Sequence, residues 1–351
     1  MILTALCLTF VVFFLTNLYP NLEKLAKSQG DMRMDDATVA KWLDDRGYSQ
    51  PTLVRYGQWL GVMPGWTRTD EDDGKFTGRC VDAGMTAETA PRFCGVLQGD
   101  FGFSTVFKED VSVILGRKMA LTGTLMFWVM ITMVPMALLV GVLAGMKEGS
   151  RTDRSLSTFS IATTATPEYV SGVILIVVFA SGASILNIKL SEWGLMEGRS
   201  LFKGSAASAM NGITFENFTL PVLTMALYGM GYIARMTRAS MAEVMTAQYI
   251  RTARLKGVSF PKIVMRHALR NALIAPFTVI MLQFPWLLTG VVIVETLFNY
   301  KGFGWTLVQA AGNNDVEMLL GASVVAVFVV LITQLISDIG YVYLNPRIRV
   351  T

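Results

Sequence analysis

The 351-residue chain is 52% hydrophobic and only 16% charged, with a formal net charge of +4, one histidine and three cysteines. Soluble domains carry about 25% charged residues, so this composition excludes an ordinary soluble protein and makes lipid the solvent of much of the chain. A His/Cys metal cluster cannot be assembled from such an inventory. There is no G-x-x-x-x-G-K-[ST] phosphate loop, since Gly74-Lys75 is followed by Phe76 and lacks the upstream glycine, and no G-x-S-x-G elbow. No catalytic residue, metal or cofactor is therefore assigned to this chain. Any use of ATP and Mg²⁺ falls to a different chain, and no nucleic-acid partner is expected.

A bilayer core takes about 20 apolar helical residues, and six stretches meet that test. The first runs from Ile2 to about Tyr19 and stops at Pro20. It has no charged n-region and no A-x-A cleavage site, so it reads as a retained anchor, residues 1–20. Residues 21–118 follow as a long polar loop of mixed charge. Within it, Asp70-Glu71-Asp72-Asp73 reads as solvated chain, and Asp36 to Arg46 as a short amphipathic helix with Val39, Trp42 and Leu43 on one face. Cys80 and Cys94 lie in this loop and are expected to pair in an oxidising compartment. Such a bridge stabilises by about 3 kcal/mol in the chain-entropy model. Cys7 reads as a small apolar residue of the first helix.

Residues 119–351 hold the other five stretches. They run from Met119 to Met146 with Pro135 expected to kink the helix, from Thr158 to Ser181, from Thr219 to Met236, from Leu273 to Phe298, and from Met318 to Leu344. The loops Gly182 to Phe218 and Asn299 to Glu317 lie between them on the side of the 21–118 loop. Intramembrane acids are expensive and each needs a role. Glu168, just after Pro167, either lines a path or faces a basic partner. Glu295 is expected to bond the Asn299-to-Gly304 turn, and Asp338 to pair with Arg235 or Arg238. The 21 methionines read as adaptable packing.

Lys and Arg concentrate in cytoplasmic loops. The segment Arg235 to Asn271 holds Arg235, Arg238, Arg251, Arg254, Lys256, Lys262, Arg266 and Arg270 against the single acid Glu243. Lys147, Arg151 and Arg154 follow the second helix, and Arg347 and Arg349 end the chain. A six-helix count puts all three segments on one side, with both termini cytoplasmic and the 21–118 loop periplasmic.

Positive-inside charge alone explains the number of cations between Thr246 and Pro276 but not the shape written there. Gln248 to Lys256 has helical periodicity, Gly257 allows a turn with positive φ, and Pro261 suits the first turn of a second helix ending near Ala272. Ala253 is small enough for close approach of a partner. Such a helix-turn-helix would lie along the membrane surface, its arginines reaching acids on a docked protein and anionic lipid headgroups.

The run Tyr249-Ile250-Arg251-Thr252-Ala253-Arg254-Leu255-Lys256-Gly257, followed by Arg266-His267-Ala268-Leu269-Arg270-Asn271-Ala272-Leu273, resembles the EAA loop of ABC importer permeases of the dipeptide/oligopeptide/nickel family. The proline comes one residue late, at Pro276, and Arg251-Thr252 stand where the general consensus has Glu-Ala. Further matches are Gly99-Asp100-Phe101-Gly102-Phe103-Ser104, Ile233 to Met241, Val294-Glu295-Thr296-Leu297-Phe298 with Gly302-Phe303-Gly304, and Asp338 with Asn345-Pro346-Arg347-Ile348-Arg349. The resemblance covers residue 96 to the C-terminus. The start departs from it. The family opens with an Arg-Arg pair and a P-G-D-P element, where this chain has Tyr19-Pro20-Asn21-Leu22 and a long insert from Glu23 to Arg92. Either the start lies downstream of the usual one or the branch is divergent.

The resemblance implies an all-α integral membrane protein of type I ABC importer permease fold with six transmembrane helices. It implies a transport subunit rather than an enzyme. The partners would be a second homologous permease, two cytoplasmic ATPase subunits, a periplasmic solute-binding protein and membrane lipid. Residues 242–273 would couple to an ATPase through Tyr249, Arg251, Ala253, Arg254, Lys256, Gly257, Pro261, Arg266, His267 and Arg270. The cargo expected from the family is a peptide, with an opine, a sugar or glycoside, or a nickel chelate as alternatives. A secondary transporter, the rival class, would show duplicated halves, and none is visible.

Overall fold

Proline, glycine and short polar caps decide where the helices of this chain begin and end. The structure is a computed structural model that describes residues 2–69, 76–81, 85–86, 88–195 and 200–344. The acidic run Asp70 to Asp73, Gly74-Lys75 and the basic end Asn345 to Arg349 lie outside the described residues.

In chain order the helices are α1 (Ile2–Thr16), α2 (Tyr19–Gln29), α3 (Asp36–Asp44), α4 (Thr52–Leu60), α5 (Val111–Gly145), α6 (Arg151–Ala165), α7 (Glu168–Leu175) and α8 (Ile185–Glu192). They continue as α9 (Phe215–Thr246), α10 (Gln248–Leu255), α11 (Phe260–Lys262), α12 (Leu269–Ala272), α13 (Ile274–Leu297), α14 (Phe303–Gly312) and α15 (Val316–Leu344). Two small hairpins and a few short 3-10 and π-helical turns accompany them. β1 (Thr67–Thr69) pairs antiparallel with β2 (Phe76–Gly78), and β3 (Phe103–Ser104) with β4 (Glu109–Asp110).

The chain divides into two compact units, one made of Met1–Met119 with Thr306–Phe328 and the other of Ala120–Trp305 with Val329–Thr351. The stretch read as a long polar loop is thus built into the first unit as packed helices. Asp35 caps α3 by accepting from Thr38 N at 3.0 Å, and Val39 and Leu43 are buried along one face. They join Phe13, Leu22, Leu25, Ala26, Trp59, Val316 and Leu320 in one apolar cluster. Cys80 and Cys94 are joined by a disulfide, Cα–Cα 5.6 Å.

The Gly99-to-Ser104 motif has a clear structural purpose in that unit. Asp100 Oδ1 accepts from Gly102 N at 2.9 Å, and both Gly99 and Gly102 sit at positive φ, +85° and +81°. The loop so formed presents Ser104, whose Oγ donates to Asp315 Oδ2 at 2.5 Å, and Val106 N donates to the same oxygen at 3.2 Å. Asp315 Oδ1 in turn accepts from Met318 N in the first turn of α15.

In the second unit α9 is central. Thr214 and Asn217 form a reciprocal capping box at its start, and half of its 32 residues are buried. It packs on α6, α7 and α13. Close approach needs small residues. A Cβ at Gly231 would meet Thr164 Cγ2 at 2.9 Å, and one at Gly145 would meet Arg238 O at 2.7 Å.

Three expected spans change shape. The first helix stops at Thr16 and Pro20 opens α2 instead, giving a bent pair at 61°. The stretch Thr158 to Ser181 is not one helix. It breaks at Thr166, whose ψ of 121° is forced by Pro167, so that α6 and α7 are separate. The fourth runs ten residues beyond Met236 to Thr246. The Asn299-to-Glu317 loop contains α14.

Among the described residues, Val111–Gly145, Glu168–Glu192 and Val316–Gly340 are each long and apolar enough to cross a membrane, and up to five spans are reached if the two bent pairs count as one span each. The expected span left out of that count is α9, which is long enough but more polar. A helix enclosed by other helices needs no lipid-facing apolar surface.

Candidate coupling site

The candidate site is built on the end of α9 and the segment that follows. Ala247 leaves helical geometry with ψ 148°, which turns the chain and starts α10. Ile250 and Ala253, three apart, share the inner face of α10 and are 0% and 8% exposed. Gly257 follows with φ +75°, a conformation that disfavours any side chain. The turn is held by Gly257 N to Arg254 O at 3.0 Å and Val258 N to Ala253 O at 3.2 Å. Pro261 then opens α11, which runs through a π-helical turn, Ile263–Ala268, into α12.

The inner faces close into one apolar cluster of Met241, Met245, Ile250, Ala253, Ile263, Val264, Ala268 and Ala272. Burying Ile250 or Ile263 stabilises by about 2 kcal/mol each. Ser240 Oγ donates to Ala272 O at 2.8 Å, and Asn271 Nδ2 donates to Tyr249 Oη at 2.9 Å, so both ends of the hairpin are tied. Lys147 Nζ lies 5.6 Å from the centre of the Phe260 ring.

The expected site residues divide by this geometry. Tyr249, Arg251, Arg254, Lys256, Gly257, Pro261, Arg266 and Arg270 are exposed, and His267 is half-buried. Ala253 does not face outward. It is small because α10 lies close on its own chain, which corrects its reading as a point of partner approach. Two outward residues carried no expectation. Leu255 is 82% exposed and Met265 65% exposed, apolar knobs among cations. Leu255 sits inside the Arg-Thr-Ala-Arg-Leu-Lys-Gly run, two positions past Ala253, and that spacing is the signal that could have found it.

Below the loop, Arg238 of α9 grips Asp153 of α6. Arg238 Nε donates to Oδ1 at 2.5 Å and a terminal nitrogen to Oδ2 at 2.8 Å. Gly149 N and Ser157 Oγ add bonds at 2.8 and 3.0 Å. The Asp153 side chain is 3% exposed. The Arg238 guanidinium, ahead of the other donors, holds its carboxyl well below the usual carboxylate range. This corrects the expected role of Asp338. Arg238 is taken by Asp153, Arg235 lies 5.8 Å from the Tyr232 ring, and Asp338 is exposed and accepts from Gln334 Nε2 at 3.0 Å.

Glu295 is fully buried. Its Oε1 accepts from Thr122 Oγ1 at 2.5 Å and its Oε2 from Trp305 N at 2.9 Å, while Thr122 Oγ1 also accepts from Phe303 N at 2.8 Å. The carboxylate therefore ties the end of α13 to Thr122 of α5 and to the backbone of Trp305. Tyr300, its neighbour, donates to Leu121 O at 3.1 Å. Glu168 is 9% exposed, its Oε2 has no hydrogen-bond partner, and it packs against Gly290 of α13.

Residues 137–350 match the family model of the binding-protein-dependent transport system inner membrane component. The chain belongs to this family. It is a transport permease subunit, an inner membrane component of an ABC transporter. A protein of Sinorhizobium fredii named a probable peptide ABC transporter permease is 34% identical over 72% of this chain and 77% of its own. A Pseudomonas aeruginosa di/tripeptide transport system permease is 30% identical over 97% of this chain and 94% of its own. Among solved structures, a bacterial ABC transporter involved in alginate import superposes with a TM-score of 0.50 at 14% identity, covering 67% of this permease and 81% of that chain. The similarity is one of fold, that of a type I importer permease.

Proposed function

We propose that this permease forms half of a peptide path, paired with a second homologous permease, and that residues 242–273 carry the force of ATP hydrolysis from one of two ATPase subunits. ATP and Mg²⁺ bind on those ATPases. A solute-binding protein delivers the cargo from the face opposite the basic loops, and both termini lie on the ATPase side. The supporting observation is the two-sided build of the α10–α12 hairpin, with an apolar inner face fixed to α9 and an outer face of cations around Leu255 and Met265. Exposed apolar residues ringed by charge suit a protein partner better than a lipid surface alone. Peptide as cargo rests on the names of the relatives.

The test is Gly257→Val in the assembled importer. Valine at φ +75° is strained, yet nothing lies within 4 Å of the added Cβ. ATP hydrolysis is expected to persist while peptide uptake falls at least about tenfold. Wild-type uptake in this variant would refute the coupling role.

A further inference from the structure

α9 changes character along its length. It has 32 residues and is about 48 Å long, against a hydrocarbon core of about 30 Å. From Asn217 to Leu227 every residue is buried or half-buried. Beyond that an outward face opens. Tyr232 is 53% and Met236 40% exposed, and Arg235, Ala239 and Glu243 are exposed with them. Tyr228, Tyr232, Arg235, Ala239 and Glu243 follow one another at steps of three or four residues, so they stack as one stripe on the helix. The stripe starts about 20 Å from Phe215, near the middle of α9, and runs toward the α10–α12 hairpin.

Neither lipid nor a dry protein contact suits such a stripe. A charged side chain facing the bilayer core is costly, and so is a phenol hydroxyl left without a partner there. The exposed side chains Val173, Ile174 and Val177 of the 168–192 span show the apolar surface that lipid accepts. Arg235 holds its guanidinium carbon 5.8 Å from the Tyr232 ring centre. Glu243 lies eight residues on, about 12 Å along the axis, too far to pair with Arg235. A partner surface that dried either group would have to supply the opposite charge. Water solvates both without that requirement.

The stripe ends where α9 meets α13. Tyr228 stacks on Trp286 of α13, with ring centres 4.9 Å apart and planes 14° from parallel. The pair is backed by its neighbours. Gln283 Nε2 donates to Gly229 O at 3.4 Å, and a Cβ at Gly229 would collide with Met133 of α5. Two large flat rings are thus held at the one end of the stripe beyond which α9 shows no exposed face until Glu216.

We propose that this stripe lines the half of the translocation path next to the α10–α12 hairpin, and that the stacked Tyr228–Trp286 pair closes that half at mid-span. The inference rests on the reading that this permease forms half of a path. With the rings stacked, the path is wet and open toward the hairpin and shut toward the opposite face.

The test uses the assembled importer in membrane vesicles without ATP. The background is Cys7→Ala with the Cys80–Cys94 bridge kept, and Tyr232→Cys, Ala239→Cys and Val177→Cys are introduced one at a time. A charged, membrane-impermeant methanethiosulfonate is added from the hairpin side or from the opposite side, and its reaction with this chain is timed. The reagent attacks thiolate, which apolar surroundings suppress, so Tyr232→Cys and Ala239→Cys are expected to react from the hairpin side at least about tenfold faster than Val177→Cys. Rates equal to that of Val177→Cys would overturn the lining and leave the stripe to lipid or to the second permease. From the opposite side, Tyr232→Cys should stay unlabelled while the ring pair is intact or carries Trp286→Phe. It should become labelled with Trp286→Ala or, where that variant fails to assemble, with Tyr228→Leu. No labelling in the opened variant would overturn the closure. Peptide uptake by cells carrying the Cys7→Ala importer separates this inference from the reading beneath it. Uptake with an unreactive stripe removes the stripe and leaves the path, whereas an importer that moves no peptide removes the path itself.

Discussion

Asn in place of Asp153 removes one charge from the α6–α9 clamp and keeps its shape. The carboxylate accepts two bonds from Arg238 and one each from Gly149 N and Ser157 Oγ. Loss of one member of a buried pair costs about 3–5 kcal/mol when the other is left dry. Arg238 is 31% exposed on its side chain and can regain water, so the lower end or less applies, roughly 2–3 kcal/mol. A shift of about 2 °C per kcal/mol in a chain of this size gives a melting decrease of roughly 5 °C for the permease in detergent.

Arg238→Gln leaves the 3%-exposed Asp153 carboxylate without its counter-charge and should cost more, about 3–5 kcal/mol. The double variant should be no worse than either single one, because each loss already forfeits the same bonds. Singles that add in the double variant would refute the clamp. The pH dependence has a definite sign. The folded carboxyl of Asp153 is held below its ordinary range. The clamp's stability is therefore fully present above the unfolded value, about 3.9, and is lost as pH falls through the lower folded value. Wild type and Asp153→Asn should differ by a constant amount between pH 5 and 8 and converge only below about pH 4.

Gly102→Ala should destabilise by about 2 kcal/mol or more, from strain at φ +81° and from a Cβ 2.6 Å from Glu317 Oε2. Gly99→Ala, equally strained but with nothing within 4 Å, should cost about half as much, and equal melting shifts would count against the Glu317 contact. Cys80→Ser should cost the Met1–Met119 region about 3 kcal/mol, read as faster proteolysis there, with no change if the bridge is immaterial. Gly231→Val should force α9 off Ser160 and Thr164 and abolish uptake, whereas Gly212→Ala, in open space, should be silent.

Much of this permease is legible in its residues, and the gaps have physical causes. The apolar stretches from Leu273 and from Met318 appear as α13 and α15 because their apolar runs are long and only isolated polar residues interrupt them. The Gly257 turn was readable because only backbone freedom is at stake there. Pro167 could have been read as a break, but a proline inside an apolar run is also compatible with a continuous helix, as Pro135 shows in α5. The Asp153–Arg238 clamp joins residues 85 apart, and no local pattern announces such a pair. Asp338, the acid that the sequence offers to Arg238, is exposed and accepts from Gln334 instead. The helices α2 to α4 were hidden in part by composition, since packed helices can be as polar on their outer faces as a solvated loop.

The hairpin at residues 248–272 gains its usefulness from using one short sequence twice. Ile250 and Ala253 turn inward to Met241 and Met245 of α9, while Arg251, Arg254 and Leu255 turn outward. A load taken at Leu255 or Met265 would therefore act on a hairpin whose apolar base is continuous with α9 and whose last carbonyl, at Ala272, is bonded by Ser240 of that helix. From α9 the packed route divides. Arg238 and Gly231 engage α6, and other side chains of α9 engage α13, which Glu295 ties to Thr122 of α5 and to Trp305 N. Tight glycine contacts and a bidentate ion pair resist sliding better than lone apolar contacts, because their geometry is directional. A rigid joint is what the proposed coupling would require, and it accounts for a segment rich in shape and in charge.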